Sequence, residues 1–199
     1  MYIIYSDNKY YLHYTSYDRL ILNKKIINTN MAYEHYLGRI SNIMIVIMVN
    51  NKVIVSDEYY SFNLKIIKKC KLYNNKYLIY YASYYGYTNV LEWLKNSGLP
   101  LKYYKGALNR ASQNGQVAVL EWWKNSGLPL KYSEKALEYA SQVGHINVLE
   151  WWKNSGLELK YSDRSIKWAA FRWQSAVIEW WKNSGLKLKS KINFIYFTL

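Results

Sequence analysis

The side chains that could do chemistry are few and far apart. His13, His35 and His145 are the only histidines, and Cys70 is the only cysteine. A zinc site needs Cys and His clustered at short spacings, and acid–base work needs carboxylates that converge. Neither pattern is present in the sequence. No glycine-rich phosphate loop occurs either; the glycines of the second half stand singly, 29 residues apart or after a helix. Glu92, Glu121, Glu150 and Glu179 do recur, each with a lysine three residues on. That recurrence places them on a solvated helix face, not in an acid–base pair. His145 is expected to be a hydrogen-bonded turn residue. The reading is a non-enzyme with no catalytic residue, no metal site and no cofactor.

What does recur is a decapeptide. "VLEWWKNSGL" occupies 119–128 and again 148–157, flanked by "VLEWLKNSGL" at 90–99 and "VIEWWKNSGL" at 177–186. From Val90 to Val119, Val148 and Val177 the step is 29 residues each time, the mark of stacked structural units. In residues 132–160, Ser133 is an expected N-cap. Ala136, Leu137 and Ala140 recur at helical spacing and predict a short first helix closed by Gly144. A second helix is predicted from about Asn147, with Val148, Leu149, Trp151 and Trp152 as its apolar stripe and Lys153 in its last turn. Gly156 ends it, and in two earlier linkers Pro100 and Pro129 forbid continuation. Helices of about nine residues do not stand alone in water, so the units must bury their faces on one another. Ala82, Ala111, Ala140 and Ala169 are invariant between units, as are Gly86, Gly115 and Gly144 until Trp173 breaks the glycine column. The tryptophan pairs are expected to fill the core. Their divergence by about 100 degrees points the first toward the preceding unit and the second toward the next.

Composition sets the remaining bounds. The chain of 199 residues is half hydrophobic and carries a formal charge of +14. Lys, Asn, Ile and Tyr are abundant together, as AT-rich codons would make them, and the basic residues are dispersed. A dedicated polyanion surface is therefore disfavoured, although Lys102, Lys105, Lys131 and Lys160 could align into a stripe for nucleic acid or an anionic membrane. The longest apolar run, Ile43–Val49, is too short to span a bilayer, and the amino terminus lacks a secretory pattern. A single cysteine fits a reducing, intracellular setting.

The block "KALEYASQVGHINVLEWWKNSG" (Lys135–Gly156) resembles the ankyrin repeat, with Leu137, Ala140, Gly144, His145, Val148, Leu149, Trp151, Trp152 and Gly156 on its framework positions. It is similar to the ankyrin arrays of giant DNA viruses. The step is 29 where that family has 33, and "KALE" replaces the family's T-P-L-H, so the tetrad's hydrogen bonds must be made otherwise or not at all. A leucine-rich repeat fits the period, but its strand signature is missing. The expected fold is all-α: a short α-solenoid of four ankyrin-like repeats over 71–189 with shortened hairpins. Before it, residues 1–70 form a divergent cap, decayed repeats or a small β-rich head, in which "NKVIVSDEYYSF" reads as strand and turn. Residues 190–199 are an apolar tail.

The resemblance implies a monomeric scaffold that binds a protein, a host protein if the chain is viral, and in that case in the host cytoplasm. Nucleic acid and membrane are the disfavoured partners, and a decayed duplicate without a partner is the third reading. The drifting positions are the expected contacts on the concave face: Tyr84, Tyr85, Lys105, Gln113, Asn114, Glu134, Gln142, Val143, Asp163, Phe171 and Arg172.

Overall fold

A computed structural model describes the backbone of residues 2–7, 11–15, 20–22, 25–27, 42–49, 52–60 and 62–187, apart from 70, 71, 75, 76, 102 and 104. Side chains are described from Phe62 onward, except that of Asn74. His35, Cys70, Lys76, Lys102, residues 36–41 and the tail 190–199 lie outside the described residues.

The chain divides into two compact units, 1–78 and 79–199. In the first, β1 (Tyr2–Asp7), β2 (Tyr11–Thr15), β5 (Asn42–Val49) and β6 (Lys52–Tyr60) form an antiparallel sheet in the order β2-β1-β5-β6. β3 (Leu20–Leu22) and β4 (Lys25–Ile27) pair separately. Ile3 faces Thr15 on one side and Ile45 on the other. The β5–β6 register slips between Met44, opposite Glu58, and Val46, opposite Val55. The all-α expectation therefore holds for residues 62–187, and these strands fall outside it. The reason is local: Ile43–Val49 is a continuous, largely β-branched run without helical periodicity, which suits a pleated strand. Of the readings open for residues 1–70, decayed repeats do not fit residues 42–49, which are strand. Helix α1 (Leu64–Lys69) and a 3-10 turn (Leu72–Asn74) complete the unit, with Ile66, Ile67 and Leu72 buried.

Eight further helices follow in pairs: α2 (Leu78–Tyr85) with α3 (Thr88–Asn96), α4 (Gly106–Gln113) with α5 (Val117–Asn125), α6 (Lys135–Val143) with α7 (Ile146–Asn154), and α8 (Arg164–Phe171) with α9 (Ser175–Asn183). The second helices all begin 29 residues apart. α4 packs on α6 and α6 on α8 along their length, while the second helices touch one another less. Small residues explain the difference: Ala107, Ala111, Ala136, Ala140 and Ala169 are buried and let the first helices approach closely.

Two local expectations are corrected. Ser133 is not the N-cap of α6; Glu134 occupies that place and makes no side-chain cap bond. The Ser133 hydroxyl instead accepts from Asn109 Nδ2 (3.0 Å), and Asn109 Oδ1 accepts from the Ser133 amide (3.2 Å). One unit on, Ser162 Oγ donates to the buried Glu138 (2.8 Å). These bonds tie the linker before each first helix to the first helix of the preceding unit.

The second correction concerns tryptophan. Trp123, Trp152 and Trp181 are buried, and their indole N–H groups donate to Ser83, Ser112 and Ser141 on the first helix of the preceding unit, at 3.2, 2.9 and 2.9 Å. The other member of each pair also looks back. Trp122, Trp151 and Trp180 donate to Glu92, Glu121 and Glu150. Both tryptophans face the preceding unit, because that is where the hydroxyl and carboxylate acceptors stand. A buried indole needs such an acceptor. In α3 the second position is Leu94, buried and with no polar group to satisfy.

Candidate interaction surface

The recurring glutamates occupy the seams between units. Glu92 accepts from Asn96 (2.7 Å) within α3 and from Trp122 (2.7 Å) on α5; Glu121 does the same with Asn125 (2.8 Å) and Trp151 (2.7 Å). The indole and amide donors hold both carboxyls below the usual carboxylate range. Glu92 and Glu121 are exposed, as expected of a solvated face, and each also ties its own helix to the next unit.

The lysines that the disfavoured polyanion stripe would need are engaged differently. Lys131 lies over the Tyr103 ring (4.7 Å) and donates to the Tyr103 carbonyl (3.2 Å). Lys160 lies over Tyr132 (4.8 Å) and pairs with Glu158 (3.3 Å). Each of these tyrosines also reaches forward: Tyr103 donates to the Pro129 carbonyl and Tyr132 to that of Glu158. Burial raises both phenols above their usual range. Lys131 and Lys160 thus knit the linkers together, and their cation–π seats compete with any phosphate. Lys105 is exposed at the start of α4.

The drifting positions sit on the first helices and the turns that lead into or out of them. Tyr84 and Tyr85 meet edge to face (4.9 Å), and Tyr85 also neighbours Tyr81 and Tyr87. Asn114 Nδ2 donates to the Tyr84 carbonyl (2.9 Å), so it ties α4 to α2 as well as facing outward. Gln113 accepts from Arg110. Glu134 is exposed, Gln142 and Asp163 are half-buried, and Val143 is 44% exposed. Phe171 is 69% exposed, with Arg172 over its ring at 6.0 Å. Units 2 and 3 separate the Tyr84–Tyr85 cluster from the Phe171–Arg172 cluster.

Three outward residues escaped the sequence reading. Arg110 lies between the rings of Tyr80 (5.4 Å) and Tyr139 (5.2 Å), a cation–π bridge across three units. Burial pushes the Tyr80 phenol up, against the opposing pull of Arg110. The column 81, 110, 139, 168 changes from Tyr to Arg to Tyr to Trp, and that variation was the signal available in the sequence. Trp168 is 37% exposed and meets Phe171 edge to face at 5.7 Å. Trp173, noted only as a break in the glycine column, is 86% exposed with φ of 59°.

Among the described residues no three His, Cys, Asp or Glu side chains gather as metal ligands, and no helix is long and apolar enough to cross a membrane. No protein-family model matches the chain, and no curated protein matches it.

Proposed function

We propose that residues 79–187 are an ankyrin-type α-solenoid of four units, acting as a non-enzymatic scaffold that grips another protein along its first helices. The observation that carries this reading is a division of labour between columns. Positions with buried side chains keep their residue type from unit to unit, as at Ala82, Ala111, Ala140 and Ala169. Outward positions on the same helices change in every unit, from Tyr84–Tyr85 to Gln113–Asn114, Gln142–Val143 and Phe171–Arg172. A repeat array specialises by varying the surface over a constant frame. Aromatic and Arg side chains at such positions are the usual anchors of protein interfaces. The lysine stripe is the weaker reading, since Lys131 and Lys160 are occupied within the linkers.

The test is affinity capture from nuclease-treated cell lysate with the wild type and a Tyr84→Ala/Tyr85→Ala/Gln142→Ala/Val143→Ala variant, both shown by circular dichroism to be folded. A protein retained by the wild type at about 0.5 M salt and lost by the variant supports the scaffold. Capture that vanishes with salt or nuclease and ignores the variant points to the basic surface instead.

A further inference from the structure

The turn inside the fourth helix pair breaks the rules of the other three. At Gly115 and Gly144 the positive φ favours glycine, and an added Cβ would also press on a neighbour, lying 3.0 Å from the His145 ring or 2.5 Å from Gln174 Oε1. Residue 173 has the same left-handed backbone but is tryptophan. A bulky residue there is a strained outlier, and such strain collects at functional positions. At 86% exposure the ring gains little burial in return. Trp168 and Phe171 meet edge to face and are also exposed, so three exposed aromatic residues fall within residues 168–173 at one helix end.

The charge around them is one-sided. Arg164, Lys167, Trp168 and Phe171 follow helical spacing on one exposed face of α8, and Arg172 comes next. No acidic residue occurs between Arg164 and Ile178; Asp163 and Glu179 lie at the ends of that stretch. The matching stretches of units 2 and 3 carry only Arg110, and Lys135 with Glu138. The array as a whole has dispersed charge, and this helix is the local exception.

From this we infer that Trp168, Phe171 and Trp173, with Arg164, Lys167 and Arg172, form a prong that inserts into an anionic lipid surface. Aromatic rings at the headgroup boundary with cations beside them are how a peripheral protein holds a charged membrane. The geometry disfavours other occupants. Trp168 and Phe171 cross at 86°, so their faces offer no parallel run on which successive bases could stack. Exposed rings flanked by cations, with no carboxylate between Arg164 and Ile178, complement an anionic surface. A prong of this size suits a fluid surface that closes around it.

The test uses the full chain and vesicles of phosphatidylcholine with about one third phosphatidylserine, read by co-sedimentation and tryptophan emission. Trp173→Gly restores the residue found in the other units, so it removes the ring without threatening the fold. The wild type is expected to bind, about a hundredfold more weakly on pure phosphatidylcholine. Trp173→Gly should weaken binding by about tenfold, and R164Q/K167Q/R172Q should erase the preference for anionic vesicles. The wild-type-minus-W173G emission should shift to the blue on binding. A Tyr84→Ala/Tyr85→Ala variant should bind vesicles like the wild type, which separates this proposal from the protein-scaffold reading. No vesicle binding, or equal binding by W173G, overturns the proposal. So does a Trp173 emission already blue before vesicles are added, since the ring would then be covered by the chain or a second copy.

Discussion

Gly144 and Trp173 occupy the same place in successive units, and the contrast between them separates two causes of sequence constancy. Both have the left-handed backbone that ends a first helix. Gly144 also lies under the Gln174 side chain of the next unit, where no Cβ fits without displacement. Trp173 is 86% exposed, its ring out in solvent. Interior turns therefore lie under a neighbour's side chain, and the turn at Trp173 is open to solvent. The serine column changes at the same unit: Ser83, Ser112 and Ser141 each receive an indole, and the corresponding residue of α8 is Ala170.

The sharpest way to break this comparison is at the seam that interior units share. Trp152→Ala empties a buried site and removes the donor to Ser112, and should cost about 3–5 kcal/mol in urea unfolding. Transplanting the odd residue inward comes next. Gly144→Trp adds strain at positive φ and displaces Gln174, and should cost about 2–4 kcal/mol. The same substitution pattern is tolerated at 173, so a negligible cost at 144 would mean that neighbour packing is not the constraint. A smaller effect of opposite sign is expected at Ser165, whose buried hydroxyl has no hydrogen-bond partner. Ser165→Ala should stabilise by about 1 kcal/mol.

The smallest effects are those of pH. Glu92 and Glu121 have lowered values in the fold, so the stability they lend is present above the ordinary carboxylate range and is lost as pH falls from there through the lowered folded values. Glu121→Gln should flatten part of that acid slope and lower stability slightly at neutral pH. Tyr103 and Tyr132 have raised values, so their contribution is whole below the ordinary tyrosine range and is lost as pH rises through the folded values. Paired Phe substitutions should reduce the alkaline slope.

The helical frame was legible because its signals are local and repeated four times: the 29-residue step, the glycine ends and the alanine columns each point to the same helices. The tryptophan partners were not legible, because a bond over 40 residues depends on how units stack, and the sequence offers Ser83 and Ser112 no mark that distinguishes them from any surface serine. The direction of the pairs failed for the same reason. Helix geometry fixes that neighbouring side chains diverge, but the acceptors on the preceding unit decide where both turn. In the first unit, an apolar run was visible, and its strand pairing became plain only from the backbone. On the surface, variability marked Phe171 and Arg172 correctly as outward, and it was equally available at Arg110 and Trp168. Asn114 shows the limit of that signal, since it varies and yet bonds the Tyr84 carbonyl.

The most direct test of the account is urea unfolding of Trp173→Gly against the wild type, followed by circular dichroism. The account treats Trp173 as a strained, solvent-facing ring that contributes nothing to the packing between units. Glycine at that backbone conformation should leave the slope of the transition unchanged and raise stability by about 1 kcal/mol. A loss of stability would show that the ring packs within the fold, and the division between covered interior turns and an open turn at Trp173 would fail.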